Sequence, residues 1–324
     1  MKTSSALFLR LAVGALALAS SCLAHAWPDR PVKLIVPAPA GGNMDVTARI
    51  YATSLSREIG QPVVVENKAG AGGSIGVQAM LNAPADGHTI LFTSSNVLSE
   101  IPYVFKPPYD PMNDVRPVAA LARYRFVLVV APDYPANDMA GLAAQLKVSP
   151  DQGNFASPSP GTLSQLGGEM LNRRFGVNMQ HVPFSGTPPA LLAVMSRQVT
   201  MYLDSVVTSA PFVRGGKLKP LGVAGTSRFP GLPQVPTFAE QGYPEFTDFT
   251  GFQGIVVSPK MPAADVDKLY AVTRRIASRP QFTDQVSQLG FEPVMPTSPQ
   301  EFAQQLQAHY TSFGALIRTM NLKP

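Results

Sequence analysis

The chain has 324 residues, with Lys+Arg 26 against Asp+Glu 21 for a formal net charge of +5, and 45% of it is hydrophobic. That balance excludes long disorder and fibrous classes. So small a basic excess, with no Lys/Arg cluster interleaved with aromatics, also excludes a nucleic-acid surface.

Residues 1–26 read as a secretory signal. Lys2 and Arg10 make a basic start, Leu11 to Ala19 is an unbroken apolar run, and Ala24-His25-Ala26 offers small residues at the cleavage positions. The run is too short to span a bilayer, and no later stretch approaches the ~18 apolar residues a membrane helix needs. Cleavage after Ala26 is expected, with the mature protein beginning at Trp27. The only cysteine, Cys22, lies inside this segment. A lipoprotein reading would cleave just before it, but Ala19-Ser20-Ser21 lacks the large aliphatic residue such a site uses. The mature chain then has no disulfide, thiolate nucleophile or cysteine metal site. Loss of Lys2 and Arg10 lowers the formal charge from +5 to +3. An exported, soluble, nearly neutral protein is expected.

Beyond the signal, strands and helices alternate. Val32–Val36 reads as a buried strand between Pro31 and Pro37, followed by a glycine-containing loop. A helix comes next, carrying Val46, Ile50, Leu55 and Ile59 at near-helical spacing and stopped by Gly60. Pro62 to Glu66 is a second β-rich run, Ser74 to Leu81 a helix, and Thr89 to Thr93 a third strand. This βαβαβ order predicts a parallel sheet with covering helices. The β-rich stretch Phe126 to Ala131 opens a second alternating set. Its strands are expected near Asn154–Ala156, Met179–Pro183, Val199–Leu203 and Leu218–Ala224, with helices at Leu163–Phe175, Pro189–Arg197 and Ser205–Arg214. A proline-rich passage, Phe229 to Pro236, precedes a further β-rich run at Gly254–Val257. The remainder is helical: Ala263–Ser278, Pro280–Leu289 and Pro299–Met320. No sequence repeat is evident.

Gly70-Ala71-Gly72-Gly73-Ser74-Ile75-Gly76 follows a strand and opens a helix, but Ile75 stands where a dinucleotide fingerprint needs glycine. A tight strand-to-helix turn is the reading that remains. Ser157 and Ser185 have no hydrolase context, and His88, His181 and His309 are scattered without metal or triad spacing. Pro39-Ala40-Gly41-Gly42-Asn43-Met44-Asp45 is different, because it joins the end of the first strand to the start of the first helix. Free backbone N–H groups, with no Cβ at Gly41 or Gly42, allow a carboxylate to approach closely; an ordinary capped turn is the competing reading. Asp45 is expected as a helix cap or first-turn acid. Ala156-Ser157-Pro158-Ser159-Pro160-Gly161-Thr162 is a second such place, and Ser94-Ser95-Asn96 follows the third strand in the same manner.

The sequence resembles the Bug family, the TctC-like receptors of tripartite tricarboxylate transport systems, from Trp27-Pro28-Asp29-Arg30-Pro31 to the end. The resemblance is carried by Gly41-Gly42-x-x-Asp45, Val65-Glu66-Asn67-Lys68-Ala69-Gly70-Ala71-Gly72-Gly73, Asp86-Gly87-His88-Thr89 and His181-Val182-Pro183-Phe184. Gln198-Val199 through Asp204 and Gly216-Lys217-Leu218 extend it. It implies an α/β fold of the periplasmic binding protein kind, with two α/β lobes joined by crossover strands and a ligand cleft between them. One lobe is expected from residues 27–125 plus 251–324 and the other from 126–250. The implied function is a periplasmic solute-binding receptor, not an enzyme. It would capture a small organic acid and deliver it to the membrane permease subunits of a tripartite tricarboxylate-type transporter, as a monomer, with no nucleic acid, metal or cofactor.

Under that reading Gly41, Gly42 and Asn43 meet the ligand from the first lobe, with Ala38, Ser94 and Ser95 nearby. Ser157, Gly161, Thr162 and Phe184 close from the second, and Asp204 orients donors or waters. The chain departs from the family pattern at Ala38, usually aromatic; at Ala40, usually proline; at Ser157–Thr162; at Gln165, frequently histidine; at Phe184, often tyrosine; and at Ser185. The ligand therefore stays open. Two other functions fit the same chain: an extracytoplasmic sensor for a signalling partner, and an exported α/β enzyme.

Overall fold

A computed structural model describes residues 27–148 and 153–320. The expected signal, its cleavage site after Ala26 and Cys22 lie outside the described residues. The first strands are β1 (Val32–Val36), β2 (Val63–Asn67) and β3 (Thr89–Ser94), with helices α1 (Asn43–Ile59) and α2 (Ser74–Leu81) between them. β1 pairs in parallel with both β2 and β3. As the central strand it is covered on both faces, and four of its five side chains are buried. Two short helices, α3 (Ser95–Ser99) and α4 (Ile101–Phe105), follow β3 directly.

The next strand, β4 (Arg116–Val130), begins ten residues before the β-rich run that the sequence marks. Its first part contains Pro117 and several alanines, which have little strand preference of their own. It is made extended by antiparallel pairing with β9 (Thr250–Val257). The second part of β4 belongs to another sheet, pairing antiparallel with β7 (Met201–Ser205) and β8 (Lys219–Val223). In that sheet β5 (Asn154–Ser157) lies parallel between β6 (Gln180–Pro183) and β7. Helices α5 (Met139–Val148), α6 (Leu163–Phe175), α7 (Thr187–Met195) and α8 (Val206–Arg214) connect these strands. The chain ends with α9 (Ala263–Ala277), α10 (Pro280–Gln288), the two-residue β10 (Glu292–Pro293) on β4, and α11 (Pro299–Met320).

The two sheets repeat one plan that the sequence does not reveal. The order β2-β1-β3 is matched by β6-β5-β7, and an antiparallel strand adjoins the third member each time: β9 for β3, β4 for β7. Two α/β lobes result, threaded by β4. The period-two alternation of β4 shows how each sheet is covered. Val127 and Val129 face a core with Leu191 and Val194 of α7, while Leu128 and Val130 face one with Leu163 and Leu166 of α6. Each such fully buried aliphatic side chain stabilises the fold by roughly 1.5–3 kcal/mol. The first lobe is covered likewise, with Tyr51 and Leu55 of α1 on one side of its sheet and Val77 and Met80 of α2 on the other.

α11 belongs to both lobes. Phe302 and Leu306 pack with α2 and β3 side chains, whereas Phe313 and Ile317 pack with Leu163 and Leu166.

Candidate functional site

Parallel pairing puts the C-terminal ends of β1 and β3 at one edge of the first sheet, and those of β5 and β7 at one edge of the second. Ser94, the last residue of β3, lies opposite Gln253 of β9. Ser205, the last of β7, lies opposite Phe126 of β4. Arg125 is paired with Thr250 at the same level. The strand ends of both lobes therefore meet where β4 passes from one sheet to the other. Loops and helix starts collect there, the usual place for a ligand in open α/β sheets.

The loop after β1 is held by Asp45. The N-cap of α1 is Gly42, not Asp45, which sits in the first turn. Its Oδ2 accepts the Gly41 N–H at 2.8 Å and the Arg49 Nε–H at 2.9 Å, and its Oδ1 accepts from Asn67 Nδ2 at 2.9 Å. Asn67 also donates to the Ala38 carbonyl at 3.0 Å. Gly41 is thereby fixed at φ +79°, a conformation other side chains adopt only with strain. Burial raises the Asp45 carboxyl, but Arg49, the Gly41 N–H and Asn67 together outweigh it and hold the pKa below its ordinary value. The first intrahelical bond of α1 runs from Val46 N–H to the Gly42 carbonyl. The N–H groups of Asn43, Met44 and Asp45 thus lie ahead of the ladder, as at any helix start. Gly41, Gly42 and Asn43 are exposed.

The loop after β5 repeats this arrangement. Gly161, at φ +77°, donates its N–H to Gln165 Oε1 at 2.7 Å, again four residues on. Thr162 is the N-cap, and Leu166 N–H makes the first intrahelical bond to its carbonyl. The hydroxyls of this loop turn inward. Ser157 and Thr162 both donate to the Ser159 carbonyl, at 3.0 and 2.9 Å. The Thr162 hydroxyl hydrogen is thus engaged within the loop, and it is the helix-start N–H groups that remain.

Ser94 Oγ lies 2.9 Å from the Tyr124 hydroxyl, and Ser95 Oγ accepts the Phe252 N–H at 3.2 Å. Both serines are buried and join α3 to β4 and β9. Asp204 is buried; its Oδ2 accepts the Thr208 and Ser209 hydroxyls, each at 2.6 Å. Burial pushes its carboxyl up to about 6. Phe184 is half-buried against the α7–α8 core, and its N–H donates to the Ser157 carbonyl at 2.9 Å. Ala38 packs on the first-lobe core.

Two groups in this region escape sequence reading. Gln165 is one, since its role needs the left-handed glycine four residues earlier. Val104 of α4 is the other: it packs against Leu163 and Leu166 of the second lobe, and a Cβ on Gly161 would come within 2.7 Å of its Cγ2. The structure also joins two residues the sequence leaves apart. His181 Nε2 is 2.6 Å from Ser157 Oγ, and its ring stacks on Phe155 with centroids 5.3 Å apart. Ser157 has no exposed surface and its hydroxyl is shared with Ser159, so the pair braces β5 against β6. Burial holds the His181 imidazole below its usual pKa. Among the described residues no cluster of His, Cys, Asp and Glu is arranged to hold a metal ion. No described helix is long and apolar enough to cross a membrane.

The model of the tripartite tricarboxylate transporter family receptor, TctC, matches residues 47–322. Protein BugT of Bordetella pertussis is 35% identical over 245 residues, 75% of this chain and 74% of the relative. Among solved structures, MatC from Rhodopseudomonas palustris with bound malate is 30% identical with a TM-score of 0.79, covering 90% of this chain and 100% of that one. A second R. palustris protein, solved with adipate, is 27% identical with a TM-score of 0.83, covering 92% and 99%.

Proposed function

Because this chain belongs to the TctC family of tripartite tricarboxylate transporter receptors, we propose that it captures a small organic acid between its lobes in the periplasm and hands it to the membrane subunits of such a transporter. The observation that carries this reading is the matched pair of loops. Gly41 and Gly161, one from each lobe, hold the starts of α1 and α6 at the level where the strand ends meet. Helix starts supply backbone donors and positive potential to an anion without a buried cation.

In this reading Gly41, Gly42, Asn43 and Ala38 contact the ligand from one side, and Gly161, Thr162 and Phe184 from the other. Ser94, Ser95, Ser157 and Asp204 keep their loops in place. Residues 27–125 plus 251–324, apart from the end of α11 that packs on the second lobe, move against 126–250, flexing near Arg125 and Thr250. Export follows cleavage after Ala26. The ligand is a carboxylate of the size that malate and adipate represent, the molecules bound by two structural relatives. Binding involves no chemical step; transport depends on the difference in ligand affinity between open and closed states.

Native mass spectrometry of the purified protein with a panel of C4 to C6 mono- and dicarboxylic acids tests the proposal. One equivalent of an acid should be retained and released with its mass unchanged. Absence of any adduct, or release of an altered mass, would contradict the reading.

A further inference from the structure

Away from the strand-end loops, one cavity contains a positive charge that the fold leaves unpaired. It has a volume of about 200 Å³ and lies between β4, the stretch after β10 and the first turns of α11, with Arg123, Val294, Met295, Ser298, Glu301 and Phe302 on its wall. Arg123 stands opposite Glu292 in the β4–β10 pair, but Arg125 takes both oxygens of that carboxylate. The Arg123 guanidinium lies instead over the Phe252 ring, 5.4 Å from its centroid, and Phe302 meets the same ring edge-on. Its Nε–H is wholly covered and has no hydrogen-bond partner. A covered N–H on a charged group is costly unless an acceptor reaches it.

The remaining wall residues decide which acceptor fits. Glu301 is exposed, and its Oε1 accepts from Gln305 Nε2 at 3.3 Å, not from Arg123. Ser298 Oγ accepts the Glu301 N–H at 3.0 Å, so the start of α11 is already capped and the arginine is the positive charge the cavity offers. The Ser298 hydroxyl keeps its own hydrogen to donate. Val294, Met295 and Phe302 make one side apolar. A planar guanidinium held by stacking matches a carboxylate in two-point contact. The volume, about six waters at ~30 Å³ each, leaves room for a short carbon chain behind it.

We propose that this cavity is a second ligand site, taking a short aliphatic monocarboxylate with its carboxylate on Arg123 and Ser298 and its chain on Val294, Met295 and Phe302. The site shares no residue with the loops at the strand ends and does not rest on the cleft reading. It lies against β4 and α11, the two elements that pass between the lobes.

The Arg123 Nε–H supplies the readout. Its proton–nitrogen NMR resonance, identified by its loss in Arg123→Lys, is followed while sodium butyrate is added at pH 7 and constant ionic strength. A saturable shift is expected, with an affinity at least about tenfold above that for phosphate or chloride, because only butyrate buries a chain. The shift should persist in Gly42→Val, which alters the cleft side alone. Glu301→Gln removes a neighbouring negative charge and should bind butyrate as tightly as wild type or more so. No shift with butyrate would overturn the proposal, and an equal response to phosphate would overturn its aliphatic part. Loss of the shift in Gly42→Val would assign the butyrate to the cleft instead. Movement of the Arg123 resonance in Glu301→Gln before any acid is added, as large as the butyrate shift, would show that Glu301 already serves as its partner and would equally overturn it.

Discussion

Asp45 shows how one side chain can organise a loop that sequence reading places only approximately. Glycine followed by an acid near a strand end suggests a cap, yet the carboxylate reaches back past the N-cap to Gly41 and sideways to Asn67 and Arg49. The residue types and their spacing were legible. The partners were not, because Asn67 is 22 positions away and the left-handed turn at Gly41 is a matter of conformation. Asp45→Ala leaves three donors without their shared acceptor. It should lower stability by about 1–2 kcal/mol, with charge-assisted bonds at the upper end of what single hydrogen bonds contribute. Urea denaturation measures this, and an unchanged midpoint would show that water replaces the carboxylate without cost. The Thr162 hydroxyl is a contrasting case: convergence of hydroxyls at this loop is a fair reading of Ser157-x-Ser159-x-x-Thr162, but two of those hydroxyls satisfy the loop's own carbonyl.

Among the elements, those with strong local patterns are found from the sequence alone. α2 is found with its bounds, and β1 and α6 follow from apolar spacing and bounding Pro, Gly and Thr residues. α5 is missed by the sequence analysis, although Met139, Leu142 and Leu146, all buried, recur at helical spacing. The first part of β4 and the first residues of β9 carry none, since each is extended only through the other. α11 is readable as a helix, but its attachment to both lobes is not. Gly314 lies where this helix passes Tyr103, whose ring is tilted against that of Tyr310 with centroids 4.7 Å apart, and a Cβ at Gly314 would come within 2.0 Å of the Tyr103 ring. Gly314→Leu should therefore push α11 from its seat and cost about 1–3 kcal/mol, the usual penalty of overpacking. A denaturation midpoint equal to wild type would mean that the helix slides without loss.

Over the whole molecule, buried titratable groups oppose one another. Burial pushes Glu100 up to about 7 and Asp204 to about 6. Burial, aided by Arg123 and opposed by Asp248, pushes His309 down to about 4, where its ring lies between Phe252 and Phe313. The folded state binds protons on the two carboxyls that the unfolded chain has already released, so their contribution is present at low pH and lost as pH rises towards 7. His309 acts in reverse. It stays neutral in the fold while the unfolded imidazole takes up a proton below about 6.5, so its contribution is lost as pH falls towards 4. Near pH 5 the single imidazole offsets only part of the effect of the two carboxyls. His309→Phe removes the imidazole's part and should leave a protein whose stability, relative to wild type, rises on going from pH 7 to pH 5 by up to about 1.4 kcal/mol per pH unit. Urea titrations at pH 7, 6 and 5 give the comparison, and parallel curves would contradict it.

The proposed receptor function depends on the helix start at Gly42. Gly42 has an extended backbone, φ −75° and ψ 165°, and a Cβ there would meet only the Pro39 carbonyl oxygen, at 3.4 Å. Gly42→Val is thus compatible with the fold while covering the backbone donors of α1. The most direct test of the receptor reading is a calorimetric titration of wild type and Gly42→Val with the acid that wild type retains. Saturable one-to-one binding by wild type, lost in a Gly42→Val protein of unchanged melting temperature, is expected. Equal affinity in the two proteins would place the ligand elsewhere and contradict the account.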